Sequence, residues 1–272
     1  MVRLNPTLRV GLGLTGGWCL LALVAALMPE SMGEPVHGPL LAPLSRAADG
    51  SLLLLGSDAL GRDFAFRLAL GAGRALVLGG AVTLLSTLLG GSVGLLASYR
   101  GGWVERVLTA LSDWVLAFPA LVLLLVLVQL GGSGGLGLVL VLAIAWAPVS
   151  YRLARSLGRD LAGRDYVVAA EMRGEGLASL LFVALLPNLI RPLMQDAALR
   201  LGFVIAALGA LGFLGLGPPP PAPDWGGLLA EARIQGLLSP HLAVAPVVAI
   251  VSLVLGCTLV AEGLRPGRGS RP

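Results

Sequence analysis

Apolar residues run along this chain in blocks of roughly twenty, separated by shorter stretches that hold most of its charge. Residues 10–28 carry no charge at all. At 1.5 Å per residue they make a helix of about 28 Å, which matches the ~30 Å hydrocarbon core of a bilayer. Further blocks fall at 75–98, 107–128, 136–149, 197–216 and 242–261. The pattern predicts an all-α polytopic membrane protein with six transmembrane helices. A short inner segment, 1–9, precedes the first span, and a mixed segment, 29–74, lies outside or at the interface. A five-helix core occupies 75–262, with an outer loop at 217–241, and the tail is 263–272. A basic start before an apolar run also fits a cleaved signal peptide. The block is long for one, however, and Leu27-Met28-Pro29 lacks small residues at a cleavage site; an uncleaved span is expected.

One long interior run breaks the apolar pattern. Residues 151–192 contain six arginines between two hydrophobic blocks. A run this polar cannot sit in hydrocarbon, so it belongs in water between two spans. Arginines place it inside: thirteen of the nineteen fall on the proposed inner side, five on the outer side, and Arg200 at a boundary. That asymmetry predicts both termini inside.

Composition narrows the class. Hydrophobic residues make up 56% and charged residues 12% of the 272, about half the charge of a soluble domain. Every base is arginine, and the arginines flank the apolar blocks, so topology explains the net +4 better than nucleic acid does. Cys19 and Cys257 lie inside apolar blocks as packed thiols. Nothing resembles a nucleophile and base pair, a phosphate loop or a metal cluster. The chain reads as a non-catalytic subunit with no bound cofactor and no metal.

Charges in or near lipid are the informative ones. Asp113 lies one turn inside the third block, and Pro119 further in. Asp113 either lines a pathway, locks helices together, or stays wet at the headgroups. Asp196 and Arg200 are four apart and pair on one helix face, a reading that outweighs a pore-facing role. Arg152, Arg155 and Arg159 share a face, suited to headgroups or to an acidic patch. In the 29–74 segment, Ser57 or Asp58 is positioned to cap a surface helix toward Leu70, with Phe64 and Leu68 on its apolar side. Gly79, Gly80, Gly90, Gly91 and Gly94 are spaced for close helix packing. In the long loop, Asp165 can cap a helix through Arg173, ended by Gly174 and Gly176, with a second apolar helix running to Pro187. A short rigid helix of this kind suits a partner's groove; a plain connecting loop is an equal alternative.

Several blocks carry a resemblance. Asp165-Tyr166-Val167-x-Ala169-Ala170, then Gly174, then Leu186-Pro187-Asn188 resembles the cytoplasmic "EAA" loop of permeases from binding-protein-dependent ABC importers. Gly56-Ser57-Asp58-Ala59-Leu60-Gly61-Arg62-Asp63, Tyr99-Arg100-Gly101-Gly102-Trp103 and Leu116-Ala117-Phe118-Pro119 are similar to the dipeptide, oligopeptide and nickel branch. So is Gly212-Phe213-Leu214-Gly215-Leu216-Gly217 followed by Pro223-x-Trp225-Gly226. Together they look like the second, C-type permease, a multi-pass protein of a prokaryotic plasma (inner) membrane. The resemblance implies a second permease subunit, two cytosolic ATPase subunits that carry ATP and Mg²⁺, and an external solute-binding protein. Asp165, Tyr166, Ala169, Ala170, Gly174, Pro187 and Asn188 would couple to an ATPase. Asp58, Gly61, Arg62, Asp63, Pro223, Trp225 and Gly226 would face the binding protein. Asp113, Pro119, Asp196 and Arg200 remain candidates for the pathway or for helix locking. This sequence departs from the family at Glu171, Arg173 and Glu175, and at Ser179, Val183 and Ala184, where basic residues are usual. The rival functions are a self-sufficient secondary transporter or channel, which would need charge relays and repeated halves, and a membrane scaffold for a cytosolic enzyme.

Overall fold

The structure, a computed structural model, describes residues 5–28, 38–47, 50–131, 135–218, 222–236 and 238–265. Residues 132–134 of the glycine-rich turn expected at 129–135, the prolines at 219–221 and the last arginines of the tail lie outside the described residues. Helices dominate: α1 (Pro6–Leu27), α2 (Phe64–Arg100), α3 (Gly102–Ala117), α4 (Ala120–Gly131), α5 (Gly135–Ala162), α6 (Asp165–Met172) and α7 (Leu177–Ser179). After a π-helical turn (Leu180–Leu185) come α8 (Leu186–Phe213), α9 (Trp225–Gln235) and α10 (His241–Gly263). A small antiparallel pair, β1 (Ser45–Arg46) and β2 (Leu52–Leu53), closes a loop before α2.

Among the described residues five helices, α1, α2, α5, α8 and α10, are long and apolar enough to span, or six if α3 and α4 together make one span. That last pair corrects the expected straight span at 107–128, because the two helices meet at 100°. Pro119 is the cause. It has no N–H to give and forces the residue before it out of helical backbone; Phe118 is extended, at φ −77° and ψ 142°. The expected surface helix near residue 58 is also corrected. Asp63, not Ser57 or Asp58, accepts the first free N–H, from Phe66 at 3.1 Å. The helix then continues unbroken for 37 residues, with Phe64 and Leu68 buried rather than on a bilayer surface.

The described residues form two compact units, to both of which α2 and α8 contribute. One unit comprises residues up to Gly80 together with Leu201–Val260. Its core gathers Phe64, Leu68, Ala72, Ile205, Trp225, Leu228, Leu242 and Leu253. Trp225 pins it: the indole N–H donates to the Leu68 carbonyl at 2.8 Å, and the ring meets Trp18 edge-on at 5.1 Å. Trp18 in turn donates to Ser252 Oγ at 2.9 Å. Gly11 and Gly256 face opposite helices so closely that a Cβ on either would come within 3 Å of them, which sets the crossing of α1 and α10. Small residues do this in lipid, where packing replaces the hydrophobic effect.

The second unit comprises Ala81–Gly132, Leu136–Arg200 and the residues from Ala261. Here α2 crosses α5 at Gly90 and Gly94. A Cβ on Gly90 would strike the Ala147 carbonyl, and one on Gly94 would lie 2.5 Å from the Tyr151 carbonyl. The Tyr151 hydroxyl hydrogen-bonds to Thr109 Oγ1 at 2.9 Å and donates to the Glu105 carbonyl at 3.3 Å, tying α5 to α3. Of the glycines expected to let helices approach, Gly79, Gly90 and Gly94 meet neighbours, whereas Gly80 and Gly91 have none within 4 Å of where a Cβ would be.

Gly90→Leu should abolish the folded permease, because the obstacle is backbone that cannot step aside. Gly80→Leu, on the same helix, should be tolerated. Yield of monodisperse protein from membranes, compared for the two variants, checks this.

Candidate functional site

The polar loop folds as a helix packed against a platform. Arg164 is extended at ψ 143° and starts α6, so Asp165 is its first residue rather than its cap. There the carboxylate meets the positive end of the helix dipole. Val167 and Ala170, on the inner face, pack on Leu180, Leu181, Leu185, Leu189 and Leu95. Gly174, at φ +74°, ends the helix. Its N–H bonds to the Glu171 carbonyl at 2.9 Å, and the Glu175 N–H to the Ala170 carbonyl at 3.2 Å, the paired closure that a left-handed residue allows.

Arg173, Glu175 and Ser179 then bracket this corner. Ser179 Oγ donates to Glu175 at 2.7 Å and Arg173 Nη2 to its other oxygen at 2.6 Å. These two partners hold the Glu175 carboxyl below its usual range. The chain does not stop at Pro187 as expected. The π-helical turn carries it directly into α8, so the helix runs 28 residues from Leu186. Asn188 Nδ2 donates to the Tyr166 hydroxyl at 3.2 Å, so these two candidates are brought together. Pro187 and Asn188 are exposed, and Ala169 is half-buried. Val168 and Met172, four residues apart, are exposed together on the outer side of α6, with Met172 85% exposed.

The three arginines on one face of α5 find acids within the same chain. Glu105 receives Arg155 Nε at 2.5 Å and Arg159 Nε at 3.2 Å. Asp113 pairs with Arg152 at 2.6 Å. Glu105 is buried at 4% exposure, yet nothing in the sequence marked it, because a single acid in an amphipathic turn looks like any wet residue. Pro119 forms the α3–α4 elbow and lies apart from this ladder.

Arg200 is a buried cation. It lies fourteen residues into α8, about 21 Å along the axis, and is 2% exposed. Its Nη1 donates to Ser86 Oγ at 3.1 Å, Thr87 Oγ1 at 3.4 Å and Ser150 Oγ, while Nη2 contacts Asp196. The i, i+4 pair is therefore present, but it belongs to a larger clasp made by α2, α5 and α8. The Ser and Thr hydroxyls were invisible as partners from sequence because they lie far away along the chain.

The outer candidates also make structure. Asp58 is buried and accepts N–H groups from Leu60 at 2.8 Å and Arg62 at 3.0 Å. Its other oxygen binds Arg62 Nε at 2.7 Å and Arg67 at 2.6 Å. Arg67 reaches on to Glu231 with both amino groups, at 2.7 and 2.9 Å. Gly61 holds φ +76°, and Asp63 caps α2. Gly226 is buried where a Cβ would collide with the Gly209 carbonyl. Asp224 caps α9 through the Gly227 N–H at 2.9 Å; burial pushes its carboxyl up, against the pull of that N–H. Arg62, Asp63 and Pro223 are partly exposed. Arg67 and Glu231 completed the network without any sequence signal, since 164 residues separate them. Among the described residues no group of three His, Cys, Asp or Glu could hold a metal ion.

Arg200→Met removes the cation shared by Asp196 and the Ser86, Thr87 and Ser150 hydroxyls and should cost about 2–3 kcal/mol. Arg200→Met with Asp196→Met should cost less than the sum of the single changes, because the two residues share one interaction. Thermal unfolding of the purified permease checks both.

Comparison with known proteins agrees with this architecture. The chain is 36% identical over 238 residues to the di/tripeptide transport system permease protein DppC of Pseudomonas aeruginosa, covering 87% of this chain and 78% of that protein. It is 36% identical over 240 residues to the dipeptide transport system permease protein DppC of Escherichia coli, covering 88% and 80%. It is 33% identical over 253 residues to the peptide transport system permease protein SapC of Salmonella typhimurium, covering 92% and 82%. Residues 86–266 match the family described as the inner membrane component of binding-protein-dependent transport systems. With its membrane helices and packed polar loop, the chain belongs to that family and is an inner-membrane transport subunit.

Proposed function

We propose that this chain is one of two permease subunits of an ATP-driven importer of di- and oligopeptides, and that α6 is its coupling element to a cytosolic ATPase. The observation that carries the proposal is the construction of α6. It is a short helix closed by a left-handed glycine, stapled to α2 and the π-helical turn on one side, with Val168 and Met172 exposed on the other. A helix held this firmly moves as one body with the spans it rests on, and exposed apolar side chains seat in a partner's groove. Three relatives named for peptide transport support peptides over nickel as cargo.

In this scheme ATP and Mg²⁺ act on the partner subunits. Closure of the ATPases pushes on α6, and the bundle exposes its pathway first to one side and then to the other. Half of the pathway comes from this chain and half from a companion permease. An external binding protein delivers the peptide to the outer surface around Glu231 and Pro223. Asp58, Trp225 and Gly226, being buried, act there by shaping that surface.

Met172→Glu places a charge on that outer side without touching the core of the loop, and Gly174→Trp forces a side chain into left-handed backbone. Both should leave the two permeases assembled while ATPase retention and ATP-driven uptake of a labelled dipeptide into vesicles fall at least tenfold. Uptake that survives both changes, or that proceeds without any ATPase subunit, overturns the coupling role. Saturable ⁶³Ni²⁺ uptake that excess dipeptide fails to compete with would overturn the cargo assignment alone.

A further inference from the structure

A polar cleft of about 390 Å³ lies between α3 and the end of α5, lined by Arg106, Thr109, Arg155, Arg159, Glu105 and Asp113. We propose that it holds the phosphate headgroup of an anionic phospholipid from the cytosolic leaflet, with the acyl chains lying along the outer face of α3. The proposal rests on the inward orientation of the 99–106 turn and the polar loop.

The charge is built for an anion. Glu105 lies nearest to Arg155 and Arg159 at their Nε atoms, 2.5 and 3.2 Å away. One carboxylate thus serves two arginines, and Arg106 has no ion-pair partner among the described residues. With Arg152 on Asp113, four guanidiniums face two carboxylates that are already engaged. Guanidinium forks match phosphate oxygens in pairs. The cavity has room for many waters of about 30 Å³ each, and hence for a headgroup.

The apolar half of the site points to lipid rather than a free anion. Trp103, Val107, Leu111 and Trp114 recur along one stripe of α3 and are strongly exposed, with both tryptophans at 73%. Glu105 and Ser112 are buried on the opposite side. The 100° elbow means that α3 and α4 cannot both follow the membrane normal. A helix with one charged face and one apolar face bearing tryptophans suits the interface plane. Basic pockets at the cytosolic ends of spans take acidic headgroups.

The test uses the assembled importer in bilayer discs of phosphatidylcholine, with an equal fraction of acyl-brominated phosphatidylglycerol or brominated phosphatidylcholine. The readout is quenching of Trp103 and Trp114, isolated by subtracting a Trp103→Phe/Trp114→Phe complex. Brominated phosphatidylglycerol should quench more strongly, reflecting about fivefold enrichment per arginine. Arg106→Gln/Arg159→Gln should bring the two lipids level, and Arg106→Lys/Arg159→Lys should restore most of the difference. Equal quenching in the wild type, or a preference that survives the glutamine changes, overturns the site. Loss of the preference on adding millimolar inorganic phosphate assigns it to a soluble anion instead. Loss of the companion permease from the glutamine variant with the preference intact makes this face a protein contact. Labelling of Arg106→Cys by an impermeant thiol reagent from the outside would show that the orientation, not the cleft, had failed.

Discussion

Arg200 sits half-way along a helix long enough to cross a bilayer, and the three helices around it are arranged as its solvent. Taking a charge out of water costs several kcal/mol unless it is paired and hydrogen-bonded. The chain offsets that cost with Asp196 one turn away and with hydroxyls from Ser86, Thr87 and Ser150. Those hydroxyls are within reach only because α2 and α5 touch at Gly90 and Gly94, where no side chain separates their backbones. The small-residue crossing and the buried cation therefore depend on each other. Close packing brings up the donors and acceptors, and the cation requires the packing to stay closed.

Charge is handled in the same way elsewhere in the molecule. Glu105 is buried beneath two guanidiniums of α5, and Asp58 is buried between Arg62 and Arg67. Such groups are weak evidence for stability, since desolvation consumes most of the Coulombic gain. What they supply is geometry, because a partner displaced by an ångström leaves a bare charge in a dry site. The exposed pairs differ. Arg152 with Asp113 is half in water and contributes little to holding helices together, which leaves it free to respond to what enters the cleft beside it.

The polar loop applies the same economy with apolar groups. Val167 and Ala170 fix α6 to its platform, and the Gly174 closure fixes its end. The Arg173–Glu175–Ser179 bracket braces the corner from the solvent side.

Much of this protein was determined by its sequence alone. Apolar blocks of bilayer length can only be spans, a forty-residue polar run can only be in water, and the loop, glycine and proline blocks identify the family without coordinates. The α6 helix and its glycine stop were legible because helix-forming runs and left-handed backbone are local matters, although Asp165 proved to be the first residue and not the cap. The interior of the bundle was not. Pro119 was visible, but whether a proline kinks a span gently or turns it by 100° depends on what packs around it. The partners of Arg200, Glu105 and Arg67 come from helices 50 to 164 residues away. An arginine four residues from an aspartate has the same sequence whether it lies on the surface or in the core. Only the tertiary structure, by bringing α2, α5 and α8 within hydrogen-bond distance, decided which it was.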